Sequence, residues 1–396
     1  MVATAPAGPA VQARRARVAV AAVFLTNGAL FANLVPRYPE VKETLGLSNA
    51  LLGTALAAAP LGALTGGLFA GAVIRLIRSA RAGAWGIPLI AAGFLLVAVA
   101  PSWWALAAVL FVAGAADAIV DVAQNAHGLR VQRLYGRSIV NSFHGVWSIG
   151  AVLGGLMGSA AAGLRIPLVI HLVVAGVLFS TVALLAYRFL LPGPDDTERE
   201  PAPATRRAFT SAAVWMLAAL GGLALFGALV EDAGASWGAL FLTEDLSAPA
   251  ATAGLAFVAL QVAMTVGRLL GDRAVDRFGQ RTVTRTGGAV AAAGMGFALA
   301  FPSVGTALAG FALAGLGTAT LVPAAMHTAD ELPGLPPGAG LTIVSWVLRV
   351  GFLASPPLVG LVADHSSLRV GLLSVVIAGV GTLILGRVLL NRPASH

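Results

Sequence analysis

One pattern occurs twice in this chain, 201 residues apart, and both copies are almost wholly apolar. Gly114 falls on Gly315, Gly150 on Gly351 and Leu68 on Leu269, in three separate segments. Near the start the register slips by two, so that Gly28-Ala29-Leu30 and Leu47-Ser48 fall on Gly227-Ala228-Leu229 and Leu246-Ser247. A duplicated membrane bundle explains this economically. Secondary transporters are often built that way, with the solute site between the repeats.

Composition sets the solvent. Apolar residues make up 58% of the 396 and charged residues 11%. A soluble domain carries about 25% charged residues, so a chain this long and this poor in charge has lipid around it. There is no Cys, which removes disulfides, thiol nucleophiles and Cys-ligated metals; the six His show no paired metal-ligand spacing. No cofactor or metal is expected. The net charge of +8 does not point to nucleic acid, because the Arg residues sit between apolar runs, where they set topology. The first run follows Arg14, Arg15 and Arg17 but carries Asn27 and Asn33 and no small-residue cleavage site, so it reads as a retained span.

A span needs roughly 20 apolar residues. Twelve are expected, at 18–36, 50–74, 83–100, 103–126, 139–161, 167–190, 210–231, 251–270, 283–301, 304–327, 339–361 and 369–389. Pro101-Ser102 and Pro302-Ser303 are short hairpin turns. The longest connection, PGPDDTEREPAPATRRAF, is Pro-rich and charged, a flexible linker. The expected organisation is an all-α membrane protein with six-helix bundles at 1–191 and 210–396 and a cytoplasmic linker at 192–209. With both termini inside, twenty of the 25 basic residues fall in inner segments and four in outer ones, which fixes the termini in the cytoplasm. Gly150, Gly154 and Gly158 recur every fourth residue, a spacing that lets helix backbones approach closely.

The stretch from Gly267 to Arg281, GRLLGDRAVDRFGQR, resembles the cytoplasmic loop signature of the major facilitator superfamily. Twelve spans, a central linker and a two-fold repeat agree with that fold. VPRYPEVKETLGLSNALLG (35–53), DVAQNAHG (121–128), SFHGVWSIG (142–150), EDAGASW (231–237) and GFLASPPLVGLVAD (351–364) resemble its MosC-like branch of bacterial transporters. The resemblance implies alternating access, a usually monomeric protein, and a cavity lined by spans one, four, seven and ten with two, five, eight and eleven beside them. It also implies a conformational latch of Gly267, Asp272, Arg273, Asp276, Arg277, Gly279 and Arg281, with Asp272 approaching the start of span five near Asn141 and Ser142. A carboxylate at a helix N-terminus is stabilised by about 0.3–1 kcal/mol. The first-half copy of the signature has lost both acids: Asp272 falls on Gly71 and Asp276 on Arg75. Gln132 stands beside Arg133 where the branch leads one to expect a Glu.

A charge at mid-bilayer costs about 2.5–3.5 kcal/mol, so each one needs a reason. Asp117 and Asp121, four apart on span four, share a helix face and can hold a proton between them; His144 on span five is a candidate relay partner. Their structural alternatives are a surface pairing of Asp121 with Arg130 or Arg133 and an interhelical hydrogen bond for His144. Arg349 is the only basic residue near the middle of an expected span and needs Asp117, Glu231, Asp232 or a substrate anion as partner. Asn27, Asn125, Gln261, Arg349, Trp237 and Glu231 are the expected substrate contacts, with Glu231, Asp232, Trp237 and Arg37 placed near the outer mouth. Spans three, six, nine and twelve are almost purely apolar supports, His171 apart.

The leading expectation is a non-enzymatic secondary transporter that moves a small polar solute, sugar-, polyol- or amine-like, with protons as the coupling partner and lipid as the surroundings. Drug–proton antiport of hydrophobic or cationic compounds is the first alternative, and a non-transporting sensor of the same fold the second.

Overall fold

The computed structural model describes residues 9–135, 139–193, 195, 211–332, 335 and 338–389, and those residues are helical nearly throughout. Among them, 11 helices are long and apolar enough to cross a membrane. They are α1 (Val11–Leu45), α2 (Asn49–Ile77), α3 (Ser79–Val97), α4 (Trp103–Tyr135), α5 (Ser142–Gly163), α6 (Leu168–Tyr187), α7 (Ala213–Asp245), α8 (Ala250–Phe278), α10 (Val304–Asp330), α11 (Ala339–His365) and α12 (Leu368–Val388). The less apolar α9 (Gln280–Ala300) lies where the ninth span is expected. The protein is thus an all-α, multi-pass membrane protein. Of the expected linker only Pro192, Gly193 and Asp195 are described; the rest lies outside the described residues.

The helices gather into two compact units. One comprises Met1–Leu34, Ala58–Gly158 and Arg165–Arg199; the other comprises Val35–Ala57, Ser159–Leu164 and Glu200–His396. The ends of α1 and α5 and the start of α2 therefore belong with the C-terminal helices.

Within each unit the duplication is enacted contact for contact. A Cβ on Gly114 of α4 would strike the carbonyl oxygen of Ala59 on α2. One on Gly315 of α10 would strike that of Leu260 on α8, and 59 and 260 are again 201 apart. Gly150 of α5 lies against the Leu25 carbonyl, and Gly351 of α11 against Leu225 and Ala228. The turns repeat as well: Ser102 accepts from the Ala105 amide at 3.3 Å, and Ser303 from the Thr306 amide at 3.2 Å. Between lipid and apolar side chains there is little hydrophobic drive, so association rests on close backbone packing, which glycine permits. The same repeat fixes one strained bond. Gly279, between α8 and α9, has φ 80°, and its counterpart Arg78, between α2 and α3, has φ 74°. Glycine adopts that conformation freely, whereas an arginine there costs on the order of 1–3 kcal/mol.

Two helices run further than expected. The seventh helix does not end at 231; it runs on to Asp245 through two π-helical stretches, Ala233–Trp237 and Phe241–Asp245. Glu231, Asp232 and Trp237 therefore lie well inside a helix. The first helix likewise runs on past residue 36, and Arg37 is 2% exposed, held by Glu40 in the next turn.

Replacing Gly114 or Gly315 by Val is expected to lower thermal stability in detergent by the equivalent of about 1–3 kcal/mol, as overpacking does. Gly305→Val, at a site with nothing within 4 Å, should leave the melting curve where it was.

Candidate functional site

In the N-terminal unit two hydrogen-bonded chains converge on α4. Asp117, Asp121 and Asn125 stand four residues apart, so they form one stripe along the helix. The close crossing of α1 and α5, where Gly28 lies against the Trp147 backbone, brings their side chains within reach of that stripe. Trp147 Nε1 donates to Asn27 Oδ1 at 2.7 Å, and Asn27 Nδ2 donates to Asp117 Oδ1 at 2.7 Å. An indole N–H only donates and an ionised carboxylate only accepts, so the amide orientation is determined. The second chain begins about one turn along. Asn125 Nδ2 donates to the Asp121 carbonyl at 2.9 Å and to its Oδ1 at 3.0 Å, leaving Asn125 Oδ1 for His144 Nε2 at 3.1 Å. His144 accordingly carries its proton on Nε2, with the ring edge-on to Phe24 at 5.3 Å. Both carboxylates are half-buried, held in place yet reachable. The arrangement joins Asn27, Asp117, Trp147, Asp121, Asn125 and His144 from α1, α4 and α5.

Arg130 does not serve as partner to Asp121. It pairs with Asp195 at 3.0 Å and donates to the Pro192 carbonyl at 3.1 Å. Asp195 also accepts the Ser79 amide at 2.7 Å and the Ser79 hydroxyl, so a linker carboxylate caps the N-terminus of α3. His127 completes this clasp. It accepts the Leu191 amide on Nε2 at 3.0 Å, so Nδ1 carries the proton and meets Ser79 Oγ at 2.9 Å. Partial burial pushes the Asp195 carboxyl up, but hydrogen bonds from Ser79 and the Arg130 guanidinium outweigh it and hold the group below its ordinary value.

His171 sits 2.8 Å from Asn33 Oδ1, while the Asn33 amide donates to the Ala29 carbonyl at 2.8 Å. Both residues are buried, so this is an interhelical tie between α1 and α6 with no open face.

In the C-terminal unit, Glu231 and Arg268 face each other at 3.8 Å, with 26% and 38% of their side chains exposed. Gln261, Thr265 and Arg268 follow at i, i+4 and i+7 on α8, one polar stripe. The Thr265 hydroxyl donates to the Gln261 carbonyl at 2.7 Å. Arg268 is thus not a topology residue at a helix end. It was hidden inside the loop signature, and the stripe spacing was the signal that could have found it. Asp232 takes the Ser236 hydroxyl at 2.7 Å. Arg349 is half-buried and makes no ion pair among the described residues, so neither Glu231 nor Asp232 is its partner. Trp237 and Gln261 are fully enclosed, and Trp237 Nε1 and Gln261 Nε2 lack partners among the described residues; neither lines an open surface. Between α7 and α11 runs an apolar cleft of about 310 Å³, lined by Val214, Leu217, Ala218, Gly221, Ile343 and Val347.

Of the expected latch, Gly267 packs against Ala319 and Leu316 of α10, Gly279 supplies the positive φ, and Arg281 donates to the Leu389 carbonyl at 3.0 Å. Asp272, Arg273, Asp276 and Arg277 are exposed at the end of α8, with Arg277 over the Phe278 ring at 5.5 Å. The Asn141 side chain lies outside the described residues.

The chain is similar to known proteins along nearly its whole length. The Major Facilitator Superfamily model matches residues 20–232 and 232–396. Membrane protein MosC of Rhizobium meliloti is 31% identical over 362 residues, covering 91% of this chain and 87% of its own length. An uncharacterised transporter of Sinorhizobium fredii is 30% identical over 372 residues, 91% and 95% of the two chains. Among solved structures, the nucleoside transporter NupG superposes with a TM-score of 0.72 at 14% identity, over 95% of this chain and 97% of that one. A bacterial homolog of the lysosomal transporter Spinster, inward-facing and occupied, gives 0.68 at 17%, over 94% and 95%. At those identities the structures speak for the fold alone.

Asp195→Asn should lower thermal stability at pH 7. Because the folded carboxyl titrates below its unfolded value, the parent's advantage is present above about pH 4 and fades as the pH falls further. Melting curves of the two proteins from pH 7 to pH 3 should therefore converge at the acid end.

Proposed function

Because the chain belongs to the major facilitator superfamily, a family of transporters, we propose that it moves a small polar solute across the cytoplasmic membrane by alternating access, coupled to protons through α4. The observation that carries this reading is the Trp147–Asn27–Asp117 chain. It ties three helices to one half-buried carboxylate whose proton occupancy alters its hydrogen bonding. An ionised Asp117 only accepts; a protonated one presents a donor to the same neighbours. Gain or loss of one proton thus changes the contacts that hold α1, α4 and α5 together. Asp121 with Asn125 and His144 gives a second proton-holding group about one turn away.

The solute contacts are assigned to the Glu231–Arg268 pair and Arg349. At 3.8 Å the pair is neutralised but leaves guanidinium donors to spare, and such donors in lipid are retained for a partner. Hydroxyl and carbonyl oxygens of a polar solute fit them. Asp272 and the exposed charges beside it are assigned to the conformational latch. With Arg268 set aside, the split of nineteen basic residues against four supports cytoplasmic termini.

The apolar cleft between α7 and α11 favours a second reading, export of hydrophobic or cationic compounds against protons. The two diverge in a thermal-shift screen of purified protein. Polyols and sugars should stabilise it, and Arg268→Gln should abolish the response while Arg268→Lys retains part of it. Stabilisation by lipophilic cations alone would select the export reading. For hits carried into uptake assays, Asp117→Asn should flatten the pH profile and reduce concentrative uptake at least tenfold. An unchanged profile would remove Asp117 from coupling.

A further inference from the structure

At the face remote from the N-terminus, α2 begins against the end of α11, and all these residues belong to the C-terminal unit. The first N–H groups of a helix have no partner within it. Here each is met. Asn49 N donates to Asp364 Oδ1 at 2.8 Å and Ala50 N to Asp364 Oδ2 at 2.9 Å. Leu51 N donates to Ser48 Oγ at 3.2 Å and Leu52 N to the Ser48 carbonyl at 2.9 Å. The Asp364 carboxylate thus spends both oxygens on a helix 314 residues distant in the chain. The helices below it run without room for a side chain: a Cβ on Gly360 would strike the Asn49 carbonyl, and one on Gly53 the Pro356 carbonyl. Beside this seam Lys42 binds both oxygens of Glu244, at 2.6 and 2.8 Å.

The internal repeat supplies the control. Subtracting 201 from Asp364 gives Gly163, and the start of α8 stands where the start of α2 stands. Gly163 lies directly against Ala251 in the second residue of α8, a contact as close as the first but with no carboxylate. The chain therefore has two matching seams at this face, and among the described residues a carboxylate on a helix N-terminus is found at the α2–α11 seam and not at its counterpart.

We propose that Asp364 is an outer-face latch: it grips the first turn of α2 when the outer side is closed, and its release is a step of opening outward. It is distinct in place and residues from the loop signature around Asp272, at the other end of α8. The proposal rests on the alternating-access reading. A carboxylate here favours the closed seam electrostatically and by two charge-assisted hydrogen bonds. At the Gly163–Ala251 contact the position matching Asp364 is a glycine, with no carboxylate to release.

The absence of Cys makes the test direct. Ser355 of α11 is fully buried and two to three turns below Asp364, and Ser355→Cys is nearly isosteric. Its labelling by a membrane-impermeant maleimide applied outside intact cells reports outward opening. Asp364→Asn keeps the shape and one acceptor and removes the charge; Asp364→Ala removes both. The expected result is a rise in labelling rate of about three- to tenfold in Asp364→Asn, larger in Asp364→Ala, with Asp364→Glu nearer the parent. Unchanged labelling in both Asn and Ala variants overturns the latch. A second reporter, Thr265→Cys labelled from inside-out vesicles, separates this from the transport mechanism. If the outer rate rises while the inner rate falls, latch and alternation both stand. If the outer rate rises and the inner does not fall, the latch stands and alternating access is contradicted.

Discussion

Backbone-to-backbone contact at glycine is the constraint from which the rest of this protein follows. In lipid, helices gain nothing by hiding apolar side chains from one another, so they must meet closely enough for dispersion and polar contacts to count. Gly114 on Ala59, Gly150 on Leu25 and their repeats Gly315 on Leu260 and Gly351 on Leu225 set that approach. The polar chemistry depends on it. Asn27 reaches Trp147 and Asp117 because Gly28 lets α1 and α5 touch, and Asp364 reaches α2 because Gly360 and Gly53 leave no gap.

The duplicated frame also shows where the two copies have parted. Gly279 holds a positive φ at no cost, while Arg78 holds the same bond under strain. Close by, the first copy lacks the signature acids, yet a carboxylate still stands at the start of α3, brought by Asp195 from the linker. At the opposite face the asymmetry runs the other way, with Asp364 in the second copy and Gly163 in the first. Chemistry has been moved around a conserved geometry.

Much of this was legible in the residues. The repeat offset carried through to individual contacts, and apolar run length accounts for 11 helices, with the less apolar α9 where the ninth span is expected. Asn27, Asp117, Asp121, Asn125 and His144 were each legible as intramembrane polar groups, because such groups are expensive in lipid; their pairing was not, since it depends on which helices cross. The seventh helix reads as ending at Glu231 because two acids in a row look like the end of an apolar run, whereas it continues to Asp245. They are tolerated inside α7 because Arg268 faces one and Ser236 the other. Arg268 was concealed by its place in a loop signature. Asp195 lay in a Pro-rich stretch with no periodicity, where nothing in the sequence says what a side chain will meet.

The central claim is that solute movement and proton movement share one path through α4. Proteoliposomes holding a pH dye report this without any membrane potential or applied gradient. On addition of a solute that stabilises the protein in a thermal-shift screen, the parent should move protons in proportion to solute, and Asp117→Asn should move solute with little or no proton signal. Solute flux in the parent with no accompanying pH change would contradict the account.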